Sequence, residues 1–316
     1  MTSRTKQPLT SSHYDRLAQK DPTGEIDLEN PAAVEAAIGA VMTARYGAAW
    51  RGDVVAAAIR DLVDAFRGGY PQLLRCDTLY HDLRHALETG LTVSRLLDGH
   101  ACSLPPGSAD AIDAEHALLA VVLALFHDIG MLRRPHEAHL KGASLTPIHE
   151  ERGVEFLLDY LARTPLAPLA AKAELIMPTK LIFRMPASWP ASDRLLASLV
   201  ASGDLLSQIA DRCYLEKCRD FLFVEMSAFG AAGTADAVYP DRETLLAKTP
   251  NFYSGLIRQR LDEEFSGVHC LMWDHFHGSN PYDEAIKRNL NYLNEILAQQ
   301  DFARLRRRPK PFVDEV

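Results

Sequence analysis

The chain has 316 residues, 47% of them hydrophobic, enough to bury one large core and far from the composition of a disordered chain. A formal net charge of -8 argues against a general nucleic-acid binder, which presents a basic surface to phosphate. The five cysteines (Cys76, Cys102, Cys213, Cys218 and Cys270) form neither a disulfide framework nor a zinc knuckle. They fit a reducing cytoplasm. The opening residues lack an apolar signal-like segment, and the longest apolar run reads as too short to span a bilayer, so a soluble cytoplasmic protein is expected.

In chain order, residues 1–30 are polar and are expected as a mobile leader or packing arm. Residues 31–46 and 53–67 carry apolar side chains at three- and four-residue spacing (Val34, Ile38, Val41 and Met42; Val54, Ile59, Leu62 and Phe66), the pattern of amphipathic helices. Gly68, Gly69 and Pro71 break the second. A third helix is expected over about 80–97. On it His81 and His85 would stand one turn apart on one face, so that both imidazoles reach a common point.

The segment 113–127 is an apolar helix that ends in His127-Asp128, with Gly130 as the expected stop. A histidine and an aspartate at the inner end of a buried helix are costly unless paired or bound to a cation. Thr146-Pro147 opens a helix carrying His149 and Glu150 in its first turn. A long periodic segment over 191–226 aligns Leu196, Val200 and Asp204, which puts a carboxylate on the core-facing stripe. Residues 230–235 read as a loop, and 251–265 and 281–297 as further helices. No alternating strand pattern or internal repeat occurs, so the fold class is expected to be all-α. The expected layout is a single helical bundle over 31–300, with a tail over 301–316 whose arginine-rich run, Arg304 to Arg308, reads as solvated. His116 reads as an ordinary helix residue, and the group His269, His275 and His277 has no spacing that suits a metal.

Taken together, Tyr80-His81 with His85, then His127-Asp128, then Asp204 on a later helix, resemble the HD-domain metal-dependent phosphohydrolases, in particular the branch related to class I cyclic nucleotide phosphodiesterases. The resemblance spans roughly 77–265. It implies His81 as general acid and His85, His127, Asp128 and Asp204 as ligands of two divalent ions (Mn, Mg, Zn or Fe), with Asp128 bridging. His149 and Glu150 fall where many such proteins contact the second metal or its water. The chemistry this implies is a metal-activated hydroxide attacking phosphorus while His81 protonates the departing oxygen. The expected partner is a small phosphoester, a cyclic nucleotide or related phosphodiester, bound without nucleic acid or membrane, in a chain that can pair as a homodimer. Tyr80, Asn251, Phe252 and Tyr253 are the candidate substrate contacts, although no glutamine stands where the cyclic nucleotide enzymes clamp the purine, and Asp82 stands where they usually have asparagine. Two alternatives share the ligand set: a di-iron oxygenase and a non-catalytic ligand sensor.

Overall fold

The computed structural model describes residues 18–311. Residues 1–17 of the expected leader and 312–316 of the expected tail lie outside the described residues. The architecture is all-α: among the described residues no strand occurs, only two isolated bridges. Among the described residues the eleven α-helices in order are α1 (Pro31–Tyr46), α2 (Gly52–Arg67), α3 (Leu83–Ser103), α4 (Ala114–Phe126), α5 (His149–Leu161), α6 (Ala191–Ala210), α7 (Tyr214–Lys217), α8 (Phe223–Ala228), α9 (Arg242–Phe252), α10 (Met272–His275) and α11 (Pro281–Gln299). Short 3-10 segments, Gly142–Ile148 and Ala167–Thr179 among them, join several of these, and π-helical turns follow α7 (Cys218–Leu222) and α9 (Tyr253–Ile257).

The first two helices begin and end near where the sequence pattern places them, and local chemistry explains why. Asn30 caps α1, its side chain accepting from the backbone of Ala32 and Ala33, with Pro31 at the first helical position. Gly68 closes α2 in the left-handed conformation, φ 81°.

The bundle is organised around α3, which packs against α1, α4 and α6. Close approach is made possible by glycine: a Cβ on Gly90 would come within 2.6 Å of Leu125 on α4, and one on Gly203 of α6 within 2.4 Å of Val93. From Ala117 to Phe126 helix α4 is apolar on every side, so that stretch lies wholly inside. The 18-residue window Ala114–Met131 is long and apolar enough to cross a membrane by composition alone, which corrects the reading that no run is that long. Eighty-three per cent of the window is buried in the bundle, which makes it the core helix.

Because α3 is covered all round, its charged residues need partners. The residues before α1 supply some of them. Asp21 is fully buried and pairs with Arg95 at 2.8 Å, and Glu29 lies 3.4 Å from Arg84. Residues 18–30 are therefore packed rather than mobile. The described part of the tail departs from a solvated run in the same way. Leu305 is buried, its carbonyl accepts from Arg219 at 2.9 Å, and the Lys310 carbonyl accepts from Arg84 at 3.3 Å.

Three helix boundaries differ from the sequence reading. Helix α3 starts at Leu83, because the Asp82 carboxylate accepts from the His85 backbone N–H at 3.0 Å and fixes the N-cap there. His81 thus precedes the helix and does not share a helical face with His85. Helix α4 ends at Phe126, before Gly130. Gly130 serves instead as a contact point, since a Cβ there would lie 1.9 Å from the His149 carbonyl oxygen at the start of α5. The periodic segment 191–226 is broken after Ala210, where Asp211 accepts from the Cys213 backbone N–H at 2.6 Å in a tight turn.

Candidate metal centre

His85, His127 and Asp204 converge, their ligand atoms all within 4.8 Å of one another, and Asp128 flanks the two histidines. His85 Nε2 from the first turn of α3 lies 3.2 Å from His127 Nε2, 3.1 Å from Asp204 Oδ1 and 3.4 Å from Asp128 Oδ2. His127 Nε2 is 3.1 Å from Asp128 Oδ2 and 3.6 Å from Asp204 Oδ1. All four side chains are buried. Nitrogen and oxygen ligands stand about 2.0–2.2 Å from a first-row cation, so neighbouring donors around one ion are separated by roughly 3 Å. The observed spacings match.

Hydrogen bonding at the rear of each ligand fixes its orientation. His127 donates through Nδ1 to the Ala124 carbonyl at 2.8 Å, which leaves Nε2 to face the centre. Asp204 is held by Gln208, whose amide donates to Oδ1 at 2.6 Å from one turn further along α6. Ser207 Oγ sits 3.5 Å behind His85 Nδ1 and is itself 3.1 Å from the Thr89 hydroxyl.

The donor set fits a cation. Asp128 Oδ2 is buried and close to two ring nitrogens, yet no hydrogen bond is directed at it, and buried Glu150 Oε2 also has none. Without metal, protons fill the gap. Burial opposes charge on His127, but Asp128 and Asp204 outweigh burial and raise its pKa well above the ordinary range. Burial likewise raises the two carboxylates, and the surrounding imidazoles overcome that and hold both below the usual carboxylate range. Residues arranged this way keep their carboxylates ionised, and a bound cation would displace the imidazolium proton.

His149 extends the cluster to the other oxygen of Asp128, with Nε2 3.3 Å from Oδ1, while its Nδ1 donates to the Thr146 carbonyl at 2.7 Å. Glu150 lies 3.2 Å from His149 and 3.5 Å from Lys180. Asp128 thus has one oxygen toward His85 and His127 and the other toward His149. His149, Glu150 and Lys180 also line the cavity described next.

His81 reaches the site from outside α3. Its Nδ1 is 2.5 Å from Glu225 Oε2 on α8, and the Tyr80 backbone N–H donates to Glu225 Oε1 at 2.5 Å. One carboxylate therefore grips both the strap of chain before α3 and the imidazole on it. Burial alone would lower the His81 pKa, but Glu225, with Asp128 and Asp204 behind it, raises it to about 9. The ring centroid stands 6.2 Å from that of His85 and 6.1 Å from that of His149.

Above the cluster opens a cavity of about 420 Å³, lined by Tyr80, His81, Asp128, His149, Asp204 and Glu225 on the polar side. Of the aromatic candidates, Tyr80 and Phe252 line it. Asn251 and Tyr253 do not: Leu245, Lys248, Thr249 and Phe252 form the face of α9 toward the cavity, residue 251 lies off that face, and Tyr253 begins the π turn beyond it. Asn251 is exposed.

Glu225, Gln208 and Lys180 were not anticipated from the sequence. Gln208 could have been found, because it follows Asp204 by one turn on the same stripe. Glu225 gives no local signal, lying 144 residues from His81. The remaining histidines match their plainer readings. His116 is 3.0 Å from Asp113, and His275 pairs with Asp98 at 2.7 Å. Among the described residues, His269, His275 and His277 form no ligand cluster.

Residues 82–214 match the HD domain family. The match begins at the N-cap of α3 and includes His85, His127, Asp128, His149 and Asp204. His81 and Glu225 lie outside it, one just before and the other after. No curated protein matches the chain significantly.

Proposed function

We propose that the protein is a divalent-metal phosphohydrolase that cleaves a phosphodiester, with His81 as the general acid. The observation that carries this reading is the His81–Glu225 pair on the same cavity that Asp128 and Asp204 of the histidine–aspartate cluster line. Ligand clusters alone also serve structure or sensing. A histidine outside the ligand set, kept protonated by a buried carboxylate and facing the same space, has a use when a leaving oxygen must be protonated.

His85, His127, Asp128 and Asp204 would hold one ion, and Asp128 with His149 a second. The opposed directions of the two Asp128 oxygens support two ions over one. Bound divalent ions supply Lewis-acid charge stabilisation and a water of lowered pKa. The chain's own residues do the rest. Gln208 fixes the Asp204 carboxylate, Glu225 orients the His81 ring and holds its proton, and that proton passes to the departing oxygen. Lys180, on the cavity wall, adds positive charge beside the anionic substrate.

The test is direct. Purified protein loaded with manganese should release 4-nitrophenolate from bis(4-nitrophenyl) phosphate. His81→Ala should lower kcat by about 10²–10⁴ while bound metal stays unchanged. Absence of turnover with manganese, magnesium, zinc and iron alike would overturn the hydrolase reading, and oxygen uptake by the iron-loaded protein would favour the oxygenase alternative. Unaltered turnover in His81→Ala would remove His81 from its role.

A further inference from the structure

The cavity wall carries information about the organic part of the substrate that the metal cluster does not. Beyond the ligands and their flank, much of the wall is hydrocarbon: Leu205, Leu222, Met226, Phe229, Phe252 and Ile257 all line it. Ile182 continues this surface at the mouth, where it is 80% exposed, an unusual position for a large aliphatic side chain.

Several polar side chains on the same wall are engaged within the protein, and three tyrosines, Tyr80, Tyr214 and Tyr239, complete it. The hydroxyls of Thr146, Thr179 and Thr249 donate to the carbonyls of Ala143, Ile176 and Leu245 at 2.8, 2.9 and 2.9 Å. The Gln208 amide N–H is committed to Asp204, and Lys180 donates to the Pro147 carbonyl at 2.8 Å and to Glu151 at 2.6 Å. Lys248 donates to the Val238 carbonyl at 2.8 Å and lies over the Tyr239 ring. Buried polar atoms without a hydrogen bond do occur on the lining, but they are Asp128 Oδ2 and Glu150 Oε2, both at the histidine–aspartate cluster. A nucleobase leaves water only if its hydrogen bonds are replaced, and each one left unmatched weakens binding on the order of tenfold. An alkyl or aryl group loses nothing by entering such a space and gains from it.

We infer that the substrate is an amphiphilic phosphoester, a phosphodiester whose organic group is alkyl or aryl rather than a nucleobase, with that group held by Leu222, Met226, Phe229 and Phe252. This rests on the phosphohydrolase reading above for the position of the phosphate. The size of the cavity is in the range that encloses most of a small organic ligand.

Two measurements on the full chain test it. The first uses manganese-loaded protein and 4-nitrophenyl phosphodiesters whose second ester is methyl, butyl, octyl or thymidine 5′. The expected result is a kcat/KM that climbs roughly three- to fourfold per methylene over the first several carbons, with the octyl ester ahead of the thymidine ester by at least about a hundredfold. A flat chain-length series, or a thymidine ester that outruns the octyl ester, would overturn the inference. Met226→Gln and Phe252→Ser should each flatten the series.

The second measurement needs no turnover. Titration calorimetry with octylphosphonate, methylphosphonate and thymidine monophosphate should rank octylphosphonate tightest by at least about tenfold, and equal or reversed affinities would refute the assignment. Should bis(4-nitrophenyl) phosphate not be hydrolysed at all, the hydrolase reading fails, while the calorimetric ranking still decides what the cavity accepts.

Discussion

Replacing Glu225 by Gln tests the link between a buried carboxylate and the proton it maintains. In the metal-free protein the His81 pKa stands at about 9, against an ordinary 6.5. That difference corresponds to roughly 3 kcal/mol of preference for the imidazolium. Burial acts against the charge, and Glu225 is the largest influence in its favour, ahead of Asp128 and Asp204. Removing one opposing charge at this range shifts a pKa by about one to three pH units, so Glu225→Gln should bring the His81 midpoint back to about 6–8. The stability consequence has a definite sign. A pKa raised on folding contributes stability that is complete below the unfolded value of about 6.5 and disappears as pH rises through about 9. The variant should therefore be less stable than wild type by roughly 1–3 kcal/mol at pH 6, with most of that gap gone by pH 10. Urea unfolding of both proteins at the two pH values, without metal, measures the gap, and an NMR titration of the His81 ring measures the midpoint. A gap equal at pH 6 and pH 10, together with an unmoved His81 midpoint, would refute the reasoning.

Other consequences concern the ligands and their packing. Gln208→Leu removes the amide that holds Asp204 Oδ1, and loss of such a supporting bond should weaken manganese binding by about 10–100-fold, read by competition with a chelating dye. An unchanged affinity would mean that α6 alone positions the carboxylate. Gly130→Ala puts a methyl group against the His149 carbonyl, so it should cost about 1–3 kcal/mol in thermal unfolding and push His149 away from Asp128. A variant as stable as wild type would show that the start of α5 yields freely.

Much of the metal centre was legible in the sequence because its clues are local. An apolar helix ending in His127-Asp128, and a carboxylate on the buried stripe of α6 at Asp204, each stand out against the helical period of their own segment. His85 was legible too, although the reason differed. It was read as sharing a helical face with His81, whereas Asp82 starts the helix between them and Glu225 brings His81 in from outside. The packed residues at either end of the bundle were only partly legible, for a related cause. Asp21, Glu29 and Leu305 look like solvated polar tail in sequence, and only their juxtaposition with Arg95, Arg84 and Arg219 makes them part of the core.

The sequence alone determined most of the helices and picked out the histidines and carboxylates that come together, since helical periodicity and the cost of burying an unpaired charge both act over a few neighbouring residues. Tertiary structure decided which carboxylate holds His81, which oxygen of Asp128 faces which imidazole, and which face of α9 meets the cavity. Those outcomes depend on distances between helices far apart in the chain, and such distances are set when side chains such as Val93 and Leu125 close over Gly203 and Gly90.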